Sequence, residues 1–518
     1  MTLDDPQVFL PELWATHARY QPERTALACG THRRTWREFN RSLNRVANAL
    51  LERGVQRGDR VAVLMHNSIE MVEVMFGIVK AGACVVPLST LLLPEQVAAL
   101  LNDAGAIGLF ASVQTRRASD AALVQCGSVR QDLRVLFGPS APDWTALEVW
   151  QSSNDAEPNV TYRMEDDFNI IYSSGTTGIP KGIVQTHRAR QHFAYSNALE
   201  LRFDNTSVAL ATTALYSNGS WFMLLAPFFV GATSIVLDSF DAEKFFSTVA
   251  HERVTHTFMV PTQFIALLDS PLLQRADLSS LKMVLTAGSP LREDTKTRVL
   301  RDITPHLFEL YGFAEGLATL IRPEEIGRKL RSVGKPLVGF DLRVIDKDGH
   351  VVPPGEIGEI VGYGAGLMRE YYRRPDATTE CIWRDERGRT FLRSGDIGYL
   401  DAEGFLYIVD RKKDMILSGG LNIFPADIEA IVAQHADIAD VCVIGVPHAK
   451  WGEVPLALVV LHRGRNPDLT AVRDWANARL NKPQRLSGIE VRTEFPRNAL
   501  GKVLKRQLRE PYWRDSRG

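Results

Sequence analysis

The run Arg60-Val-Ala-Val-Leu-Met65, the segment Ser68 to Ala81 and the run Cys84-Val-Val-Pro87 together make the fold readable. The two outer runs are short and apolar, as strands buried in a parallel sheet are. Between them Ile69, Val72, Phe76 and Val79 recur at near-helical spacing, and Asn67 or Ser68 is placed to cap a helix. Strand, helix, strand is a βαβ unit. Further along, Asn169-Ile-Ile-Tyr172, Val208-Ala-Leu-Ala211, Ser234-Ile-Val-Leu237, Thr257-Phe-Met-Val260 and Met283-Val-Leu-Thr286 are strand-like, with helical stretches between them. Such alternation predicts a layered α/β architecture.

The pattern changes after about residue 335. Gly and Pro become frequent, as in Val352-Pro-Pro-Gly-Glu-Ile-Gly358, and strands shorten, which predicts a β-rich subdomain over about 335–410. The charged run Asp410-Arg-Lys-Lys-Asp414 follows. It reads either as a solvated turn or as the main boundary, and we place the boundary there. Beyond it Pro425 to His435 predicts a helix with Pro in its first turn, Val441 to Val446 and Leu456 to Leu461 predict strands, and Leu469 to Leu480 a second helix. The expectation is a large layered α/β domain over 1–410 and a small α+β domain over 411–518. No internal repeat or low-complexity tract interrupts it.

Composition bounds the function. The chain has 518 residues, so a prior of roughly 100–200 per domain gives several folding units. Hydrophobic residues make up 45% and charged residues 23%, ordinary values for a soluble globular protein. A formal net charge of -1 argues against bulk electrostatic binding of nucleic acid or anionic membrane. Cys29, Cys84, Cys126, Cys381 and Cys442 are scattered without a CxxC pair, which fits a reducing compartment and no structural zinc. The opening Met-Thr-Leu-Asp-Asp-Pro lacks the basic and apolar regions of a signal peptide. The longest apolar stretch, Trp221 to Leu237, is shorter than the ~20 residues of a spanning helix, and Pro227 and Gly231 interrupt it. It reads as a buried helix, a turn and a strand. The expected address is the cytoplasm, with no membrane span, as a monomer or homodimer.

The chemistry concentrates in Ser173-Ser174-Gly175-Thr176-Thr177-Gly178, after the strand ending at Tyr172, with Lys181 close behind. Hydroxyls and unobstructed backbone N–H groups in a tight turn form an anion nest, and Lys181 adds a positive charge. This describes a phosphate cradle, although a flexible Gly/Ser turn has the same composition. Gly-x4-Gly-Lys-Ser/Thr is absent, so it is no Walker A loop. The residues after Ile183 are expected to be helical.

The full string Tyr172-Ser-Ser-Gly-Thr-Thr-Gly-Ile-Pro-Lys-Gly182 resembles the signature loop of the adenylate-forming superfamily, which includes acyl-CoA synthetases, peptide-synthetase adenylation domains and firefly luciferase. Tyr311-Gly-Phe-Ala-Glu315, Ser394-Gly-Asp396, Asp410-Arg411, Ser418-Gly-Gly-Leu-Asn422 and Pro496-Arg-Asn-Ala-Leu-Gly-Lys502 match further family motifs in the same order. The resemblance covers nearly the whole chain. It implies ATP, Mg²⁺ and coenzyme A acting on a small carboxylic acid, with an acyl-adenylate formed first and an acyl-CoA second. It also implies that the C-terminal domain is mobile.

Residue by residue, the resemblance makes Glu315 the Mg²⁺ ligand and Tyr311 the adenine-stacking residue. Thr176 and Lys181 become catalytic groups on the cradle. Gly288, Ser289, Gly312, Phe313 and Ala314 become nucleotide contacts. Asp396 becomes the acceptor of ribose hydroxyls, Arg411 a nucleotide-contacting arginine, Lys413 a hinge residue, and Lys502 the catalytic lysine. Ser418, Gly419 and Gly420 would shape a pantetheine tunnel. Trp451 and Lys482 are candidates for contact with the CoA nucleotide, although Trp451 reads equally as a core or edge aromatic. By analogy the acyl pocket draws on Trp221, Phe222, Met259, Val260, Ala287, Gly288, Gly316 and Leu317, and core packing would look the same.

Two departures stand out. Ala314 occupies a position where the family usually has Thr, removing one hydroxyl worth roughly 0.5–1.5 kcal/mol. Ser217 or Asn218 stands where many relatives carry a gating His. Amino-acid-activating relatives carry an aspartate in this region, and none occurs between Ala209 and Leu237. An unpaired buried ammonium would be costly, so amino acids are disfavoured as substrates. His187, Arg188 and Arg190 leave open a second acidic group on the substrate. The expected activity is a carboxylate–CoA ligase on an apolar aliphatic or aryl acid. The rivals are an acyl-AMP ligase serving a carrier protein or other acceptor, and a non-catalytic adenylate-binding module.

Overall fold

The structure is a computed structural model that describes residues 7–173, 180–419, 421–497 and 501–514. It forms two compact units. The first holds Met1–Leu330, Pro336–Asp341 and Tyr363–Ile382, and the second Arg331–Lys335, Leu342–Gly362 and Trp383–Gly518. The segment expected to be one β-rich subdomain is therefore divided. Tyr363–Ile382 belongs with the large unit, and the rest of the segment mostly clusters with the C-terminal residues.

The βαβ unit appears as expected. Strands Arg60–Leu64 and Cys84–Pro87 are parallel, with helix Ile69–Lys80 between them. Ser68 caps that helix, its side chain accepting from the Met71 N–H. The helix is mostly apolar and almost wholly buried, and its buried charges are paired, Glu73 with Arg34 and Lys80 with Glu157. It touches strands of both large sheets.

The first sheet runs, in spatial order, Glu370–Tyr371, Lys181–Thr186, Asp167–Ser173, Cys84–Pro87, Arg60–Leu64, Gly108–Ser112, Arg134–Phe137. The second runs Ala318–Ile321, Leu307–Gly312, Met283–Thr286, His256–Met259, Val208–Ala211, Thr233–Val236, Thr25–Cys29, His32–Thr35. Asn67 links the carboxyl ends of the two sheets. Its amide donates to the carbonyls of Thr213 and Leu237, both at 3.0 Å, and its carbonyl accepts from the Leu215 N–H at 2.9 Å.

The segment after the signature loop differs from expectation. Lys181–Thr186 is a strand antiparallel to Asp167–Ser173, and the helix begins only at His187. These two strands are the arms of a β-hairpin. Ile183 and Val184 are both fully buried in strand positions, and this tertiary burial decides the local conformation of Lys181–Thr186. The stretch Trp221–Leu237 resolves as read. Helix Phe222–Val230 ends at Gly231, whose φ of 73° makes the left-handed turn into strand Thr233–Val236. Among the described residues no helix is long and apolar enough to cross a membrane.

In the second unit, strands Gly358–Gly364, Thr390–Leu400 and Leu406–Arg411 form an antiparallel sheet. A long hairpin, Ile438–His448 against Gly452–Leu461, carries the C-terminal α+β part, with Gly488–Val491 added in parallel. Helices Pro425–Val432 and Leu469–Asn477 share a core with it. In the run Asp410–Asp414, Lys412 and Lys413 are exposed in a turn, and its first residues are paired. The Asp410 carboxylate accepts from the Ala426 N–H at the start of helix Pro425–Val432, at 3.0 Å. Arg411 pairs with Asp396 at 3.2 Å, and Lys412 with Glu359 at 2.9 Å. Burial pushes the Asp410 carboxyl up to about 6, against the pull of Lys505.

Candidate nucleotide and acyl site

In the first unit the hairpin places Lys181 opposite Ser173, at the foot of the signature loop. Ser174, Gly175, Thr176, Thr177 and Gly178 lie outside the described residues, as do the Ser173 side chain and Gly420. Strand Leu307–Gly312 then delivers the Glu315 turn. Phe313 and Gly316 close the turn with a Gly316 N–H to Phe313 carbonyl bond of 2.9 Å.

Tyr311 and Gly312 end that strand. Glu309, two residues earlier, forms a fully buried ion pair with Lys296 and accepts from the Leu291 N–H at 3.4 Å. The pair ties the strand to helix Glu293–Asp302, and the Leu291 bond ties it to the loop carrying Ala287, Gly288 and Ser289. In that loop the Ser289 hydroxyl oxygen is buried without a hydrogen-bond partner among the described residues. An orphaned hydroxyl beside Tyr311's strand fits a polar ligand such as a nucleotide, because leaving it unmade costs about 1–3 kcal/mol.

Glu315 is brought to Lys181 by a segment the sequence reading passed over. The Tyr371 hydroxyl donates to the Glu315 carboxylate at 2.6 Å. Lys181 places its ammonium 4.7 Å from the centre of the Tyr371 ring. Burial, then the charge of Glu315, hold the Tyr371 phenol well above its usual range, so it remains a donor. Nothing local signals Tyr371. It lies in the segment assigned to the β-rich subdomain, and only its return to the large unit exposes its role. Ala314 contributes through its backbone, its carbonyl accepting from the Gln185 amide at 2.7 Å.

The donor set suits magnesium. Among the described residues no group of three His, Cys, Asp or Glu gathers round a common point. Magnesium that is shared with substrate phosphates and keeps several waters needs only one or two carboxylates. Glu315, oriented by Tyr371 and close to the cradle lysine, fits that requirement.

The expected acyl-pocket residues fall into different places. Trp221 is fully buried, its indole N–H bonded to the Leu215 carbonyl at 2.9 Å and its face 4.6 Å from the Arg190 guanidinium carbon. It is a core residue, the alternative that its sequence left open. Phe222 stacks on Phe193 with ring centres 4.9 Å apart. Met259, Val260, Ala287 and Leu317 are buried. Gly288 and Gly316 both have positive φ, 89° and 125°.

The three basic residues after the loop differ in their surroundings. Burial pushes His187 down to about 4, Arg188 pairs with Glu165, and Arg190 donates to Asn169 at 2.7 Å. A cavity of about 200 Å³, unforeseen in the sequence, opens beside Asn67, Thr213, Tyr216 and Asp238. It lies at the carboxyl ends of parallel strands, where open α/β sheets commonly bind ligands.

The second unit gathers another set. Asp396 and Arg411 are register partners on neighbouring strands and form an ion pair. Asp396 is only 5% exposed. Lys502 joins them. Burial, then the positive charge of Arg411, push its ammonium down to about 8, against the pull of Asp396 and Asp414. An Arg497–Val503 bridge closes its loop, and the Arg497 guanidinium donates to the Gly501 carbonyl at 2.6 Å.

A separate face carries the remaining residues. The Gly419 N–H donates to the Trp451 carbonyl at 2.8 Å, and Ser418 pairs with Gly452. A Cβ on Gly419 would lie 2.8 Å from the Trp451 ring, so only glycine lets the indole lie this close to the backbone. Trp451 is 47% exposed, with the Lys450 ammonium 4.8 Å from its ring centre, which excludes the core reading. Lys482 opens a short turn beside strand Leu421–Ile423, and Lys413 is exposed in the turn after Arg411.

Comparison with known proteins bears on these arrangements. Residues 14–372 match the family model for AMP-binding enzymes, and residues 427–502 the model for the AMP-binding enzyme C-terminal domain. A feruloyl-CoA synthase of Amycolatopsis sp is 34% identical, over 96% of this chain and 97% of the relative. A 2-succinylbenzoate–CoA ligase of Geobacillus sp. (strain WCH70) is 31% identical, over 97% and 98%. The crystal structure of ATP-bound MatB from Rhodopseudomonas palustris superposes with a TM-score of 0.87 at 28% identity, covering 98% of this chain and 99% of that one.

Proposed function

Because the chain belongs to the AMP-binding enzyme family, we propose that it is an AMP-forming carboxylate–CoA ligase acting on an apolar aliphatic or aryl acid. A carboxylate oxygen attacks the α-phosphorus of ATP, forming an acyl–phosphate bond and expelling pyrophosphate. The thiol of coenzyme A then attacks the acyl carbon, gives up its proton to water, and expels AMP. Both transition states concentrate negative charge, so positioned cations and donors do the catalysis without a protein nucleophile.

The observation that carries this reading is the gathering of Asp396, Arg411 and Lys502 in one unit. Asp396 accepts the ribose hydroxyls, an ionised carboxylate having acceptor sites for both. Arg411, paired with Asp396 at 3.2 Å, orients it. Lys502, a compact charge on a flexible stem, spans the attacking carboxylate and the α-phosphate. Tyr311, Gly312, Phe313, Ala314, Gly288 and Ser289 receive the adenine side of the nucleotide. The cradle and Lys181 take the phosphates, with Thr176 as a donor. Magnesium bound at Glu315 would neutralise phosphate charge.

For the second half-reaction we assign the small domain, 411–518, a rotation against 1–410 about the Asp410–Lys413 segment. The face of Ser418, Gly419, Gly420 and Trp451 then meets pantetheine, with Lys482 near the CoA phosphates. Truncating Trp451 tests this. Stacking of a base on an aromatic is worth about 1–3 kcal/mol, so Trp451→Ala should raise the KM for CoA roughly tenfold. Pyrophosphate release without CoA should be unaffected. An unchanged KM for CoA would remove Trp451 from the acceptor site.

Two relatives are named for feruloyl and 2-succinylbenzoate substrates, which supports an aryl acid. Asp238, one residue beyond the segment that lacks an aspartate, is already paired with Lys244 at 2.8 Å, which supports excluding amino acids. Five free thiols support a cytoplasmic enzyme, which we take to be a monomer or homodimer. The deciding experiment is pyrophosphate release over a panel of carboxylic acids, with and without CoA. Acid-dependent release with CoA consumption is expected. Release without CoA consumption would replace this reading with an acyl-AMP ligase.

A further inference from the structure

The strand Glu370–Tyr371 occupies an unusual crossing point. It pairs with the strand leaving the signature loop, Tyr371 opposite Ile183 and Glu370 opposite Val184. The Tyr372 N–H donates to the Gly182 carbonyl at 2.7 Å, one residue beyond Lys181. On its other side the same segment is fastened to the Glu315 turn. The Met368 N–H donates to the Glu315 carbonyl at 2.6 Å. Gly316 lies so close to Gly366 and Leu367 that a Cβ there would stand 2.2 Å from the Gly366 carbonyl oxygen. Segment 366–372 is thus stitched by main-chain bonds to both the phosphate loop's exit and the Glu315 turn.

Tyr371 is the side chain at that crossing, and its two chemical features point to different partners. Its hydroxyl holds one oxygen of the Glu315 carboxylate at 2.6 Å. Its ring face holds the Lys181 ammonium at 4.7 Å. A phenol that fixes a carboxylate leaves the second oxygen aimed in one direction. A ring that fixes an ammonium limits where a flexible lysine can reach.

We propose that Tyr371 is a positioning residue that sets Glu315 for magnesium through its hydroxyl and Lys181 for the ATP phosphates through its ring. The inference rests on the reading of Glu315 and Lys181 given above. It extends that reading to a residue that acts through Glu315 and Lys181. Groups that orient a metal ligand in this way typically change metal affinity by 10–100-fold when removed.

The two features separate by mutation. Tyr371→Phe removes the hydroxyl and keeps the ring, and Tyr371→Leu removes both. Binding of ATP to the full-length enzyme is measured by calorimetry, first in EDTA and then across a Mg²⁺ titration. For Tyr371→Phe the affinity in EDTA should stay within about twofold of wild type, while the Mg²⁺ needed for half of the metal-dependent tightening rises about tenfold or more. For Tyr371→Leu the affinity in EDTA should also fall several-fold. Glu315→Gln should abolish the Mg²⁺ effect, and adding Tyr371→Phe to it should change nothing further.

A Tyr371→Phe enzyme that titrates with Mg²⁺ like wild type would overturn the proposal. Full additivity with Glu315→Gln would overturn it too, by showing a merely structural effect. A wild-type enzyme whose ATP affinity ignores Mg²⁺ would instead overturn the reading of Glu315 on which the proposal rests.

Discussion

Lys502→Ala should slow adenylate formation on the order of 10²–10³-fold, the effect of removing one positioned charge from a developing oxyanion. Conversion of a supplied acyl-adenylate to acyl-CoA should proceed nearly as in wild type. Pyrophosphate release and thioester formation, assayed separately, check the two halves. Equal loss in both would contradict the assignment of Lys502 to the first half-reaction alone and, with it, the rotation of residues 411–518.

The same lysine makes a prediction about pH. Burial and Arg411 push its ammonium down to about 8. Catalysis needs the charged form, which dominates below that value and is lost above it. The kcat/KM for adenylation, which reports the free enzyme, should therefore fall as pH rises through about 8. In the kcat profile this limb should move to higher pH, because bound phosphate and carboxylate favour the ammonium. Lys502→Arg should abolish the limb, since a guanidinium stays charged throughout that range. An unchanged limb in the arginine variant would assign the titration to another group.

Gly316→Ala is expected to be the most damaging substitution for its size. The residue has φ of 125°, a region that L side chains rarely adopt. Its new Cβ would meet main chain on the other side, 2.2 Å from the Gly366 carbonyl oxygen and 2.6 Å from the Leu367 Cα. Backbone cannot rotate away as a side chain can. Strain and overpacking together should destabilise the large unit by about 3–5 kcal/mol. The clash also pushes apart the two segments that hold Glu315 and Tyr371 in contact, so Mg²⁺-dependent ATP binding should weaken with it. Gly58→Ala is the control. It also has positive φ, 79°, but a Cβ there meets nothing within 4 Å. It should cost only about 1 kcal/mol. Similar unfolding midpoints for the two variants would show that the clash is relieved at little cost.

Glu315, Asp396, Lys502 and the Ser/Thr/Gly loop were nominated by short strings that resemble family motifs, since each residue taken alone reads as a surface or turn residue. The βαβ periodicity of Arg60 to Pro87 is a local pattern that burial preserves. Helix Ile69–Lys80 and strands Val208–Ala211 and Met283–Thr286 follow from such periodicity. Trp451 was left undecided because an exposed indole and a core indole read alike in sequence.

What only the tertiary structure decided concerns residues far apart in the chain. Lys181–Thr186 is a strand and not a helix because partners on both sides complete its hydrogen bonds, the hairpin strand Asp167–Ser173 and, almost two hundred residues later, Glu370–Tyr371. Trp221 became core because Arg190 and Phe76 close over it. Asp410, Arg411 and Lys412 gained partners because Ala426, Asp396 and Glu359 fold back on them. Tyr371 gained its role only when its segment left the β-rich region and crossed beside Lys181 and Glu315. Periodicity and residue chemistry are short-range properties that a sequence displays directly. The pairing of distant strands and the company of a buried side chain are set by closure of the whole core, and no local pattern encodes them.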